Sequence, residues 1–187
     1  MGLLGSLFTR RSVPLREPRD TTDDALNAVF VPLRNRVCDF KDITNMSWAL
    51  ILPAIQRISI RLSIQAHGRE STQKLLESII RKMEKEHGIV PNVARNISLF
   101  PEVSSQQLPQ LAKLNALLWQ VADEMIASGR PIEYVAQGFT RFVVLVASRN
   151  IDLFGEFYAP KLIHASYREF QSGAFDDDRA LASLRST

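Results

Sequence analysis

The chain predicts an all-α, single-domain helical bundle of roughly five to seven helices with an extended N-terminal arm. Three observations lead there. Apolar residues recur at helical spacing in one segment after another, Gly and Pro fall between those segments, and the one strand-like run, 142–146, has no second run or hairpin turn to pair with. The 187 residues suit one domain, and 45% hydrophobic against 23% charged residues with 9 Pro and 8 Gly excludes a wholly disordered, collagen-like or disulfide-stapled chain.

Taken in order, residues 1–19 form a Pro- and Arg-containing arm ahead of the bundle, which is expected over 20–173. Asp20, Asp23 and Asp24 supply capping and first-turn carboxylates for a helix to about Asp39, with Pro32 expected to kink or divide it. Thr44 or Asn45 caps a second helix to about His67, again interrupted by a proline, Pro53, and stopped by Gly68. Over 71–87, Leu75, Leu76, Ile79, Ile80 and Met83 make one apolar stripe opposite Lys74, Glu77, Arg81, Lys82 and Lys85, and Gly88 supplies the C-cap. Pro91 opens a short helix that Pro101 ends. Over 106–127, Leu111, Leu114, Leu118, Val121 and Met125 repeat as 3-4-3-4, a seam suited to near-antiparallel neighbours. Residues 132–149 are apolar on nearly every side, which marks the buried central helix. A last helix over 152–171 contains Pro160 and stops at Gly173, and 174–187, with Asp176, Asp177 and Asp178, reads as an acidic C-terminal tail.

The longest uncharged run, 43–56, has fourteen residues and contains Pro53, too short to cross a bilayer. The single cysteine, Cys38, makes no internal disulfide and no thiolate pair for zinc, so the expected setting is intracellular. Net charge is only +3, but residues 1–19 hold four arginines against Glu17 and residues 25–86 hold 10 basic against 6 acidic side chains. A sequence pI near 9.2 fits a nucleic-acid binder, yet the weak clustering gives that partner little support.

The start of the chain carries the strongest motif. Met1 followed by Gly2, with Ser6 four residues on, matches the N-myristoylation pattern. One acyl chain holds a membrane only marginally, and Arg10, Arg11, Arg16 and Arg19 offer the second signal toward an anionic leaflet. Leu3, Leu4, Leu7 and Phe8 can insert without any lipid. Two other readings of the arm stand beside this one. With three arginines and no acid in its first sixteen residues it also suits a cleavable organelle transit peptide, and it suits a structural arm that docks Leu4, Leu7 and Phe8 on the bundle.

The histidines form no readable site. His67 and His87 each precede a glycine and read as helix C-terminal cations. Glu84 and His87 make one Glu-x-x-His pair, where carboxylate-bridged di-metal bundles use two. His164 is a conceivable acid–base group with Glu156 and Tyr158 on its own helix. Dinucleotide and phosphate loops, the nucleophile elbow and His-Glu-x-x-His are absent from the sequence. Gly88-Ile89-Val90-Pro91-Asn92, with Arg95 and Leu99-Phe100-Pro101, is similar to a stretch of the helical carboxymuconolactone decarboxylase and alkylhydroperoxidase group over about fourteen residues. The redox members of that group need a downstream Cys-x-x-Cys, which this chain lacks, so no activity, catalytic residue, cofactor or metal is carried over.

The function expected from these features is a non-enzymatic peripheral membrane protein of structural or adaptor kind, whose arrangement resembles that of viral matrix proteins in architecture alone. The expected partners are an anionic membrane surface, other proteins and further copies of the chain, at the cytoplasmic face of a membrane. The alternative is a soluble helical interaction or regulatory module with a structural arm, and a small helical enzyme comes third.

Overall fold

A computed structural model describes residues 21–87, 103–154 and 158–175, and these are helical or turn throughout apart from short connections. Among the described residues, six helices of fourteen residues or more and one four-residue stretch follow one another: α1 (Thr21–Thr44), α2 (Trp48–His67), α3 (Arg69–His87), α4 (Leu108–Ala127), α5 (Ile132–Arg149), the short α6 (Ile151–Phe154) and α7 (Tyr158–Gln171). The all-α bundle is therefore the fold, with no strand among the described residues, and the run 142–146 is part of α5. The arm, the Gly88 cap, the short helix after Pro91 and residues 176–187 lie outside the described residues.

Neither proline divides its helix. Val29, Leu33 and Val37 recur along one face of α1 and are fully buried, while Pro32 stands on the exposed side. There the carbonyl that loses its partner can meet water. In α2 the proline is buried, but Ile51, Leu52, Ala54 and Ile55 around it are buried too. A helix-interior proline costs about 3 kcal/mol, against about 1.5–3 kcal/mol gained for each large aliphatic side chain taken from water. Burial wins, and α1 runs on to Thr44 rather than stopping near Asp39.

The cap between these helices also differs from the expected one. Thr44 is the last residue of α1, its hydroxyl donating to the Phe40 carbonyl at 2.7 Å, and Asn45 takes the left-handed conformation (φ 52°) that ends a helix. Ser47 caps α2, its Oγ accepting the Ala49 N–H at 3.2 Å. At the other end Gly68, at φ 77°, donates to Ile64 and accepts from Thr72, so α2 and α3 are separated by one residue.

Helix α5 is the centre. Val135, Ala136, Phe139, Phe142, Val143 and Ala147 are buried, and α5 lies against α2, α1, α4 and α7. Gly138 is where α1 comes closest: a Cβ there would stand 2.7 Å from Val29 Cβ and nearer still to Val29 Cγ1. The α4 seam turns inward as its spacing requires, with Leu114, Leu118, Val121 and Met125 buried and Leu111 half-buried against the same cluster.

Of the last helix expected over 152–171, the described residues hold α6 and, from Tyr158, helix α7, which contains Pro160; residues 155–157 lie outside the described residues. A second, smaller apolar cluster sits where α2, α3 and α7 meet, made of Ile60, Leu76, Phe170 and Phe175. Phe175, which the sequence places in the acidic tail, is thus 6% exposed and packed on the bundle. The α3 stripe is only partly used: Leu76 and Ile80 are buried, joined by Thr72, while Leu75 is 43% exposed.

Candidate functional site

Gly2, Ser6 and the membrane-contact set Leu3, Leu4, Leu7, Phe8, Arg10, Arg11, Arg16 and Arg19 all lie outside the described residues. Among the described residues, charged side chains line a cleft and a helix seam.

The first is a cleft of about 350 Å³ between α1 and α4, lined in part by Val121 and Met125. Asn35, Arg36 and Asp39 line it from α1, and Glu124 and Arg130 from the end of α4 and the turn after it. Arg36 meets Glu124 at 3.3 Å with both side chains about half exposed, so water screens the pair and it holds the helices together only weakly. Arg130 donates to Ser128 Oγ at 2.6 Å.

The second is the seam between α3 and α7. Tyr167 donates to Glu77 at 2.8 Å, Gln73 donates to the same carboxylate at 3.0 Å, and Arg81 reaches it at 3.3 Å. The amide and phenol hydrogen bonds favour the ionised carboxylate and set Glu77 below the ordinary carboxylate range. Burial and the Glu77 carboxylate together push the Tyr167 phenol up. One turn on, His164 Nε2 lies 3.8 Å from Glu84 Oε1. Burial lowers the imidazole's affinity for a proton, Glu84 opposes that, and Arg168 adds to it.

The histidines therefore fall as follows. His67 ends α2 and is exposed, and His87 ends α3. His164 meets Glu84 across a helix interface. Tyr158, the partner expected on its own helix, packs against the main core instead, where burial raises its phenol, and Glu156 lies outside the described residues. The carboxylate half of the Glu-x-x-His pair thus meets a histidine eighty residues away, a contact the sequence does not signal, because the pairing exists only once α3 and α7 are side by side. At 3.8 Å it is an ion pair only when His164 is protonated, and no grouping of three metal-ligating side chains occurs among the described residues. Comparison with known proteins adds no relative: no protein-family model, curated protein or solved structure matches the chain.

Proposed function

We propose that this chain is a non-enzymatic peripheral membrane protein, structural or adaptor in kind, with the arm of residues 1–19 meeting an anionic leaflet and the bundle binding partners or further copies of itself. The observation that carries the reading is the composition of the arm: Gly2 and Ser6 at acylation spacing, Leu3, Leu4, Leu7 and Phe8 beside them, and four arginines against one acid. The bundle's share is supported by the α1–α4 cleft, whose rim of Arg36, Arg130, Asp39 and Glu124 offers both signs of charge to a polar partner.

Each basic residue near an anionic surface adds about 1 kcal/mol, so replacing Arg10, Arg11, Arg16 and Arg19 together by Ser lowers affinity for anionic vesicles roughly a thousand-fold at low salt. Co-sedimentation of the full chain with vesicles containing phosphatidylserine measures it. Equal sedimentation of the parent and the four-site variant removes the membrane reading and leaves the alternative, a soluble interaction module working through the cleft. Intact mass of the protein from its native cells reads acylation at Gly2 directly.

A further inference from the structure

Among the described residues four polar side chains are buried, Gln56, Ser59, Thr72 and Ser166, and the first three gather at one place. Where α2, α3, α5 and α7 come together, Gln56, Ser59, Thr72 and Thr140 line a small cavity of about 30 Å³ with Ile163 across from them. Gln56 is 2% exposed, and its Oε1 meets no donor from the protein. An acceptor left unmet at that depth bears its full desolvation penalty, so something must satisfy it.

The neighbouring hydroxyls are already committed. Ser59 donates to the Ala136 carbonyl at 2.7 Å. A hydroxyl has one proton, so in the 2.7 Å contact between Ser59 Oγ and Thr140 Oγ1 it is Thr140 that donates. Thr72 spends its proton on the Gly68 carbonyl at 2.9 Å. Ser63, on the cavity's edge, stands seven residues and so about 10 Å further along α2, while helical side chains lean toward the N-terminus, which takes the Gln56 amide away from it. The lining is therefore rich in lone pairs and short of donors. A cation is a poor match, because no carboxylate lines the cavity to offset its lost hydration.

We infer that this cavity is a binding site for one ordered water molecule, which donates one proton to Gln56 Oε1 and the other to the free lone pairs of Thr140 or Thr72. A volume of about 30 Å³ exceeds the roughly 10–15 Å³ that one water needs, and the site offers the two or more polar partners that a buried water requires. The water ties α2 to α5 or α3 at the only polar layer that the described residues place between them.

A high-resolution crystal structure of the full chain tests this, together with water-to-protein cross-relaxation in solution. The expected result is a density peak within hydrogen-bond distance of Gln56 Oε1 and of Thr140 Oγ1 or Thr72 Oγ1, with cross-relaxation from a long-lived water to the methyl groups of Thr140 or Thr72. In Gln56→Met, which keeps the volume and removes the acceptor, peak and cross-relaxation are lost. A well-ordered parent structure with no peak there overturns the inference whether or not the variant folds. Cross-relaxation that persists unchanged in Gln56→Met overturns it as well.

Discussion

Phe142 and Phe170 are both fully buried, yet they lie in regions built differently. Phe142 sits among twenty-five buried residues, its ring 5.7 Å from Phe30 and 6.1 Å from Trp48, in a cluster to which α1, α2, α4, α5 and α7 all contribute. Phe170 shares a cluster with three others, Ile60, Leu76 and Phe175. That smaller group has Ile64, Tyr167 and Ala174 packed against it and is flanked by cations as well: Arg69 lies 4.4 Å from the Phe170 ring centre and donates to the Phe170 carbonyl at 2.8 Å, while Arg57 and Arg61 each stand 5.6 Å from the Phe175 ring. Beside it run the Glu77–Tyr167 bond and the Glu84–His164 contact. The difference teaches where each region draws its stability. Apolar burial scales with area and ignores salt, whereas cation–ring contacts contribute about 0.5–1 kcal/mol at exposed sites, and the seam depends on protonation. Helix α3, held mainly by the smaller cluster and the seam, should open at lower free energy than α2, α4 or α5.

The largest expected effect is at the centre. Phe142→Ala removes a ring from a site enclosed on every side and should cost about 3–5 kcal/mol in chemical denaturation. A loss below about 1 kcal/mol would give Phe142 the energetics of a surface residue and erase the contrast. Gly138→Ala forces a methyl onto Val29 and should cost about 1–3 kcal/mol through overpacking. Val29→Ala in the same chain should recover part of that loss, and strict additivity in the double variant would mean that the two helices do not meet there.

Phe175→Ala probes the smaller cluster. Because the residue is at its edge and the surroundings can collapse, about 1–2 kcal/mol is expected, with faster amide exchange in α3 and little change in α5. Exchange rising equally in both helices would show a single cooperative core.

The smallest effect is a pH dependence. His164 holds its proton less well folded than unfolded, so as pH falls through the ordinary histidine value of 6.5 the unfolded chain takes up a proton that the folded chain resists, and stability drops. Burial raises Glu169, which acts the other way as pH falls toward the ordinary carboxylate value, equally in the parent and in a His164 variant. Denaturation midpoints of the parent and His164→Gln compared between about pH 7 and 5.5 isolate the first effect, since a histidine's titration falls in that window. A parallel pH profile in the two proteins would remove His164 as its source.

How much of this was legible follows the same division. The 3-4-3-4 seam of α4 and the apolarity of α5 are signals along the chain, and burial follows them at Leu114, Leu118, Val121, Met125, Val135, Phe139, Phe142 and Val143, while Leu111, Ile132, Leu145 and Val146 are only half-buried. The prolines misled because local propensity was weighed without the buried faces of Val29, Leu33 and Val37 or of Ile51, Leu52 and Ile55, which outweigh one lost hydrogen bond. Ser47 caps α2 in place of Thr44 or Asn45 because α1 runs on through Thr44 and Asn45 serves to end it. Gly138 carried a signal in plain sight, a glycine inside an apolar helix, which marks close approach of a neighbour. The small cluster was the least readable part. Arg57 over Phe175, Glu84 beside His164 and the unmet Gln56 Oε1 are all products of α2, α3 and α7 converging, and no spacing along the chain encodes that convergence.

Native-state amide exchange across the full chain tests the division most directly. The account predicts that under mildly destabilising conditions α3 exchanges through a partial opening of lower free energy, while the slowest amides of α2, α4 and α5 exchange together only on global unfolding. Slowest amides of α3 that share the free energy and denaturant dependence of those in α5 would contradict it, and would make the two clusters one.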